Sequence, residues 1–317
     1  MIRPNETTRW AVHAPESVDL TLPEQDEWVR GVADEMIERF PRAEELIRLE
    51  QKSTDAPTLV RLAMKLAQSK ERVRALPERF RVSVVFAAYK EHNRLRTRAE
   101  HPHGEDFLVR KVRQLEWLFD GVPHAPWEML LVDDGCPEGS GRIAQEITDA
   151  DGFGDRVKVL FLQEAIDSGH PAAVGLATTV DSQKGGSIQY GMAVAAEDDS
   201  TDHVVVFTDA DLSTHLGQVG LLLDPILREG YDAAIGSRRE PMSVVIKSGA
   251  RNERGKLFIY LWKRLLPQLS PIIDTQCGFK AFRADVTKKI VDGAIEKRFA
   301  FDIELLLRTV LARPGSI

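Results

Sequence analysis

Short apolar runs alternate with longer segments of helical spacing from Val82 onward, and this alternation constrains the fold more than any other feature of the chain. It predicts strands over residues 82–88, 129–132, 157–162, 204–208 and 233–235. Helices are expected over residues 107–119, from Ser140 and from Gly186. Such a pattern favours an α/β fold, a Rossmann-like and mostly parallel sheet flanked by helices, with ligands bound at the carboxyl ends of the strands.

The segment before this alternation has a different character. Residues 23–40, 42–51 and 58–76 are rich in charge and carry apolar side chains at helical spacing. We therefore expect an N-terminal helical extension over residues 1–80 and an α/β domain over residues 81–317. Nothing in the extension suggests a chemical role.

Composition and charge limit the partners and the cellular compartment that we expect. The net charge of -7 over 317 residues gives no overall electrostatic reason to expect a nucleic-acid partner. Cys136 and Cys277 lie far apart in sequence, which argues against a disulfide framework and for a reducing compartment. The N-terminus shows no signal pattern, and no stretch reaches the roughly 18 apolar residues of a membrane span. We expect a cytoplasmic protein, either soluble or peripheral at the cytoplasmic face of the membrane.

Polar residues follow four of the expected strands. The fourth strand ends in Asp209-Ala210-Asp211, and two carboxylates at this spacing can hold a divalent cation against a diphosphate. Alone, such a pair more often simply caps a strand and opens a turn. The other three strand ends carry Tyr89-Lys90-Glu91, Asp133-Asp134-Gly135 and Gly236-Ser237-Arg238. Four polar strand ends at one edge of a sheet indicate a nucleotide site.

Six segments of the chain also match a known pattern in order and spacing. They are residues 82–91, 131–136, 184–187, 209–214, 274–282 and 299–306. Together they resemble glycosyltransferase family 2, and within it the dolichyl-phosphate β-glucosyltransferase and polyprenyl-phosphate sugar transferase branch. The resemblance covers residues 82–306 and implies a GT-A fold and transfer from a nucleotide-activated sugar with inversion at the anomeric carbon.

The resemblance also implies roles for individual residues. Asp211 would ligate Mg²⁺ or Mn²⁺ directly, and Asp209 would contact ribose or reach the metal through water. Lys184, at the start of a helix, is placed for phosphate or ribose contact, although a solvated lysine before a helix cap is an equal alternative. The residues expected to bind the nucleotide sugar are Ala88, Tyr89, Glu91, Asp133, Asp134, Lys184, Asp209, Ala210 and Asp211.

The acceptor is expected on the second half of the domain. Arginine forks suit phosphate, and the residues assigned to acceptor or phosphate binding are Arg238, Arg251, Arg254 and Gln276. Arg238 and Asp302 are the expected catalytic residues. A hydroxyl acceptor needs a base, for which Asp302 is chosen over Glu304, whereas a phosphate acceptor is already ionised and needs none.

The leading interpretation is an inverting, metal-dependent glycosyltransferase that uses UDP-glucose, with polyprenyl phosphate as a candidate acceptor. A transferase with a soluble acceptor, such as a glycerate or a glycan, is the first alternative. A nucleotide-sugar-binding module without turnover is the second. Residues 257–266 combine apolar and basic side chains and could lie on a membrane surface, but core packing is the favoured interpretation.

Overall fold

A six-stranded sheet forms the centre of the protein in the computed structural model, which describes residues 6–76, 79–200, 202–246 and 260–317. The strand order is β3-β2-β1-β4-β6-β5. The strands are β1 Arg81–Ala88, β2 Trp127–Asp133, β3 Val157–Phe161, β4 His203–Thr208, β5 Ala233–Ile235 and β6 Phe279–Arg283. The five strands expected from the apolar runs are all present, which confirms the α/β expectation.

Five strands of the sheet run in the same direction, and β6 runs in the opposite one. β1 pairs in parallel with β2 and β4, and β2 with β3, whereas β6 is antiparallel to both of its neighbours, β4 and β5. β6 was not predicted as a strand. Successive strands are added on one side of β1 as far as β3, and the next strand, β4, lies on the other side of β1. The carboxyl ends of β1 and β4 therefore open onto a switch point, where open α/β sheets bind ligands.

Helices cover both faces of the sheet, and the period-2 alternation of the strands explains why. Val84 and Phe86 of β1 face one apolar core, whereas Val85 faces the other. The helices are α1 Thr8–Ala11, α2 Pro23–Arg39, α3 Ala43–Gln51, α4 Thr58–Arg74, α5 Phe107–Phe119, α6 Ser140–Ala150, α7 Leu162–Asp167, α8 Gly185–Ala195, α9 Gly220–Leu227, α10 Ala284–Val291 and α11 Phe301–Ala312.

The N-terminal helices α1 to α4 have a core of their own and also pack on the sheet domain. Trp10, Met36 and Leu66 belong to their separate apolar cluster. Val73 of α4, by contrast, belongs to a core of the sheet. Gly220 at the start of α9 has no side chain, and a Cβ there would collide with the carbonyl oxygen of Ser69 in α4. The boundary near residue 80 remains a prediction, because α4 contributes to both cores.

In the described part of the chain, no helix is both long and apolar enough to cross a bilayer. The segment 257–266 is described only from Tyr260, and residues 260–265 are helical. Trp262 is buried, but Tyr260, Leu261 and Leu265 are exposed. Core packing, the favoured expectation, therefore holds for Trp262, and Leu266 packs against the same core, whereas Tyr260, Leu261 and Leu265 do not pack there.

Candidate nucleotide-sugar site

A cavity of about 690 Å³ opens at the carboxyl ends of β1, β2 and β4. Its walls bring together residues from strand ends that are far apart in sequence. The nucleotide-sugar-binding residues expected from the sequence that line it are Tyr89, Glu91, Asp134, Lys184, Asp209, Ala210 and Asp211. The two acidic motifs therefore share one cavity rather than being separated by packed core.

The side chains of Ala88 and Asp133 do not line the cavity. The side chain of Ala88 is buried in an apolar core, and its neighbour Ala87 lines the cavity in its place. The Asp133 carboxylate is 6% exposed and accepts hydrogen bonds from the backbone N–H groups of Gly135 (2.9 Å), Cys136 (2.9 Å) and Gly141 (2.7 Å). These contacts correct the expectation that the two side chains face the nucleotide: Asp133 shapes the loop that leads into α6.

The two carboxylates of Asp209-Ala210-Asp211 have different partners. Asp209 Oδ1 forms an ion pair with Lys184 Nζ. Asp211 Oδ1 accepts hydrogen bonds from the backbone N–H of Ser213 at 3.1 Å and from its hydroxyl at 2.5 Å. A Cβ at Gly278 would collide with the Asp209 carboxylate, so the close approach of this backbone depends on glycine.

This wall of the cavity offers ligands suited to a hard divalent cation, since carboxylate oxygens are the ligands that Mg²⁺ and Mn²⁺ prefer. The described residues contain no group of three or more His, Cys, Asp or Glu side chains placed to hold an ion by themselves. The site therefore fits an ion that shares its coordination with phosphate oxygens, as is usual for Mg²⁺. Asp209 and Asp211 are the residues that could hold it.

Asp134 fixes the loop that carries Lys184. Its carboxylate accepts hydrogen bonds from the backbone N–H of Lys184 at 2.8 Å and from the Ser187 hydroxyl at 2.6 Å. Burial raises the pKa of Asp134, and the hydrogen bonds from Ser182, Ser187 and the Lys184 backbone oppose that shift. Lys184 itself has φ +91°, a conformation rare for a residue with a side chain. Asp134 thus holds Lys184 in a strained backbone conformation beside Asp209.

Glu91 has a partner in the cavity that the sequence did not single out. Arg94 lines the same cavity and lies 2.8 Å from the Glu91 carboxylate and 2.9 Å from that of Glu105. Burial raises the pKa of Glu91, the charge of Arg94 lowers it, and the nearby charge of Asp211 raises it. The spacing of Glu91 and Arg94 by three residues was the available signal for this pair.

Comparison with known proteins settles the family. The model of glycosyl transferase family 2 matches residues 83–291. This chain belongs to glycosyl transferase family 2.

Individual relatives of this family 2 chain agree with the suggested branch. Glycosyltransferase AglD of Haloferax volcanii is 25% identical over 72% of this chain and 30% of its own length. Dolichyl-phosphate beta-glucosyltransferase of Drosophila melanogaster is 28% identical over 71% of this chain and 61% of its own length. The chain thus spans less than two thirds of the length of these relatives.

A solved structure of glucosyl-3-phosphoglycerate synthase from Mycobacterium tuberculosis, in complex with Mn²⁺, UDP and phosphoglyceric acid, is also similar to the family 2 chain. The sequence identity is 18% and the TM-score 0.48, over 78% of this chain and 69% of that one.

Of the residues expected at the acceptor side of the family 2 domain, Arg238, Gln276 and Asp302 do not line the cavity. Arg238 makes a bidentate ion pair with Asp274, in which both nitrogen–oxygen distances are 2.8 Å. Asp302 accepts a hydrogen bond from Gln276 Nε2 at 2.5 Å and lies 3.1 Å from Lys280 Nζ. Arg251 and Arg254 lie outside the described residues.

Asp302 and Glu304 occupy different surroundings on α11. Burial raises the pKa of the Asp302 carboxyl, against the opposing charge and hydrogen bond of Lys280. Glu304 accepts hydrogen bonds from the backbone N–H groups of Ile295 and Glu296 and pairs with Arg308 at 3.0 Å. These contacts give Glu304 a structural role within the family 2 domain.

Several residues of the cavity were missed from the sequence. Thr179, Val180 and Gln183 come from the long segment before Lys184, and Phe299 comes from the loop before α11. Gly135 has φ +73°, and a Cβ there would collide with the Thr179 side chain. The absence of a side chain at Gly135 therefore allows the segment that carries Thr179 to pack at the edge of the cavity. Val180 and Phe299 are exposed and give the mouth of the cavity an apolar edge.

Proposed function

We propose that this chain transfers a hexosyl group, with inversion, from a nucleoside-diphosphate sugar to an acceptor that carries a phosphate. UDP-glucose is the favoured donor, and polyprenyl phosphate is the favoured acceptor. One observation carries the proposal: Asp209, Asp211, Asp134 and Lys184 line a single cavity at the switch point of the sheet. The dolichyl-phosphate relative supports both the sugar and the acceptor.

One group of cavity residues would bind the metal ion and the diphosphate of the donor. Asp211 would hold Mg²⁺ or Mn²⁺ directly, and Asp209 would do so through water or contact the ribose. The ion supplies positive charge for the departing diphosphate. Lys184 lies beside Asp209 and is placed to contact a phosphate oxygen, while the N-terminus of α8 adds positive potential.

The base and ribose are assigned to the β1 and β2 ends of the cavity. Glu91 and Asp134 can accept hydrogen bonds from a base N–H or from ribose hydroxyls. Tyr89 is half exposed at the rim and offers an aromatic face. We assign Ala87 rather than Ala88 to contact with the donor, since Ala87 lines the cavity.

The acceptor oxygen would attack the anomeric carbon from the side opposite the departing diphosphate, which inverts the configuration there. A phosphate acceptor needs no base, whereas a hydroxyl acceptor would lose its proton to Asp302. We propose Arg238, Arg251, Arg254 and Gln276 as the residues that bind the acceptor phosphate. Arg238 would have to divide its guanidinium between Asp274 and that phosphate, because the ion pair with Asp274 is already bidentate.

The exposed apolar side chains of residues 260–265 support a lipid acceptor reached from a membrane surface. Tyr260, Leu261 and Leu265 are exposed beside the basic residues Lys263 and Arg264, which is the combination found in helices at lipid interfaces. We therefore propose a peripheral position on the cytoplasmic membrane face. Flotation with anionic liposomes tests it, and a protein that stays at the bottom of the gradient would favour a soluble acceptor such as a glycerate.

Calorimetric titration tests the donor site. We expect UDP and UDP-glucose to bind only when Mn²⁺ or Mg²⁺ is present, GDP-sugars to bind more weakly, and Asp211→Asn to abolish the metal-dependent signal. A transfer assay with polyprenyl phosphate then tests turnover. Binding without hydrolysis or transfer would identify a nucleotide-sugar-binding module, and the absence of metal-dependent UDP binding would contradict the proposed function.

A further inference from the structure

A buried aspartate of the N-terminal helices reaches the loop that carries the acidic pair. Asp26 of α2 is 3% exposed, and its Oδ1 lies 3.1 Å from Nε2 of His215, four residues beyond Asp211. Oδ2 of the same carboxylate accepts a hydrogen bond from Arg30 Nε at 3.1 Å. A side chain from outside the sheet domain therefore contacts the segment that follows β4.

His215 contacts both its own loop and the N-terminal helices. Its Nδ1 accepts a hydrogen bond from the backbone N–H of Gly217 at 2.9 Å, and its Nε2 lies 3.1 Å from Asp26 Oδ1. Burial lowers the pKa of the imidazole, so the ring is neutral near pH 7. His215 is thus fixed by a hydrogen bond at Nδ1, and its Nε2 is in close contact with the Asp26 carboxylate.

A third side chain ties the same carboxylate to the next residue of the loop. Gln114 of α5 donates from Nε2 to Asp26 Oδ1 at 2.7 Å, and its Oε1 accepts the backbone N–H of Leu216 at 2.9 Å. Gln114 is buried, and Leu216 is fully buried in the core. The loop is therefore fixed at Thr208 by the sheet and at His215 and Leu216 by Asp26 and Gln114, with Asp209 and Asp211 between these two points.

We propose that the N-terminal helices position the metal-binding loop, with Asp26 acting through His215 and Gln114 to hold Asp211 at the separation from Asp209 that a shared cation requires. Asp26 and His215 are positioning residues, since neither lines the cavity. The proposal rests on the proposed function only for the identity of the ion. Its geometric content, that Asp26 orders residues 211–217, stands apart from any ligand.

Asp34 provides a matched control from the same helix. Its carboxylate accepts hydrogen bonds from Trp117 Nε1 of α5 at 2.9 Å and from Lys70 Nζ of α4 at 3.0 Å. It therefore also anchors α2 to α5, but none of its contacts reaches the loop after β4. Asp26→Ala and Asp34→Ala both remove a carboxylate from the same interface, and Asp26→Asn keeps the shape of the side chain.

Two measurements on the full chain test the proposal. Without ligand, hydrogen exchange of the backbone amides of residues 211–217 should become about tenfold faster in Asp26→Ala than in the wild type, and remain unchanged in Asp34→Ala. With UDP present, the apparent Kd for Mn²⁺ should rise by about 10-fold or more in Asp26→Ala, with Asp26→Asn intermediate.

Each outcome has one meaning. Equal exchange in the wild type and Asp26→Ala overturns the inference. Equal effects of Asp26→Ala and Asp34→Ala on exchange or on Mn²⁺ binding also overturn it, because both variants would then act through general loosening. If the wild type binds no Mn²⁺ with UDP, the proposed function fails, while the exchange measurement still decides whether Asp26 orders the loop.

Discussion

Lys184 Nζ and Asp209 Oδ1 form an ion pair in the wall of the cavity, so one of the two proposed metal ligands already has a cation beside it. Both side chains are about one-third exposed, at 33% and 36%. A divalent ion that binds Asp209 must share this carboxylate with Lys184 or displace it. In the donor complex, the phosphates can accept the ammonium group that the carboxylate releases.

We therefore expect Lys184→Met to change two affinities in opposite directions. Mn²⁺ alone should bind up to about fivefold more tightly, because the competing charge on Asp209 is gone and an exposed ion pair is worth up to about 1 kcal/mol. UDP should bind more weakly at saturating Mn²⁺. Calorimetry measures both, with Lys158→Met, which removes an ion pair with Glu128, as the control. A change of both affinities in the same direction would contradict the role given to Lys184.

Gly278→Ala should damage the site without unfolding the protein. The added Cβ collides with the Asp209 carboxylate and must push it away, and a displacement of about 1 Å in a catalytic group costs up to roughly 100-fold in rate. We expect weaker metal-dependent UDP binding and a matching loss of transfer. Gly31→Ala on α2 is the control, since a Cβ there meets nothing within 4 Å and should slightly stabilise the helix. Full donor affinity in Gly278→Ala would show that Asp209 moves freely.

Lys111 predicts a pH dependence of stability. Its side chain on α5 is fully buried, and its Nζ has no hydrogen-bond partner among the described residues. Burial lowers the pKa of Lys111 from 10.5 to about 8, against the opposing charges of Asp211 and Asp209. Between these two pKa values the unfolded chain binds more protons than the folded one, so stability rises with pH through that window.

Lys111→Met should accordingly stabilise the protein by about 3 kcal/mol at pH 7 and by about 1 kcal/mol at pH 10, because the cost of burying the ammonium group disappears as the wild-type lysine loses its proton. Urea unfolding at the two pH values measures the difference. Lys289→Met, at an exposed position, should change stability little at either pH. An equal gain from Lys111→Met at both pH values would mean that folding does not lower the pKa of Lys111.

Asp302→Asn should lower turnover far more than donor binding if Asp302 removes a proton from a hydroxyl acceptor. Burial raises the pKa of its carboxyl, so activity should fall with decreasing pH at values above the usual aspartate range near about 3.9. The activity of the variant should no longer show this fall at low pH. Glu304→Gln on the same helix should lower the Tm but keep the fall in activity at low pH. Unchanged turnover in Asp302→Asn would remove Asp302 from the mechanism.

Much of the fold follows from the sequence because local periodicity decides it. The helices α5 and α6 begin at the expected residues, Phe107 and Ser140, and the five expected strands are present. β6 escaped prediction since its place between β4 and β5 depends on pairing with distant residues, and because it contains the buried Lys280. No local pattern reports a lysine that is satisfied by Cys277 and Asp302.

The site was predictable where strand ends define it and less so elsewhere. Alternation along β1 would have favoured Ala87 over Ala88 for the cavity, since neighbouring residues face opposite sides of the sheet. The sequence could not distinguish Asp133 from Asp134, because the backbone N–H groups that bind Asp133, two in its loop and one in the first turn of α6, come together only in the folded chain. The contact of Asp26 with His215 joins residues that are distant in the chain and carry no shared motif.

The position of β6 also determines when the cleft can be completed during synthesis. Ribosomes release a chain from its N-terminus, so β1 to β4 and both acidic motifs emerge well before residues 279–283. Until then one edge of β4 lacks its neighbour, and Asp209 lacks the backbone of Gly278 against which it rests. A nascent chain of this length would carry an open strand edge beside a half-built pocket, and an open strand edge can pair with another chain.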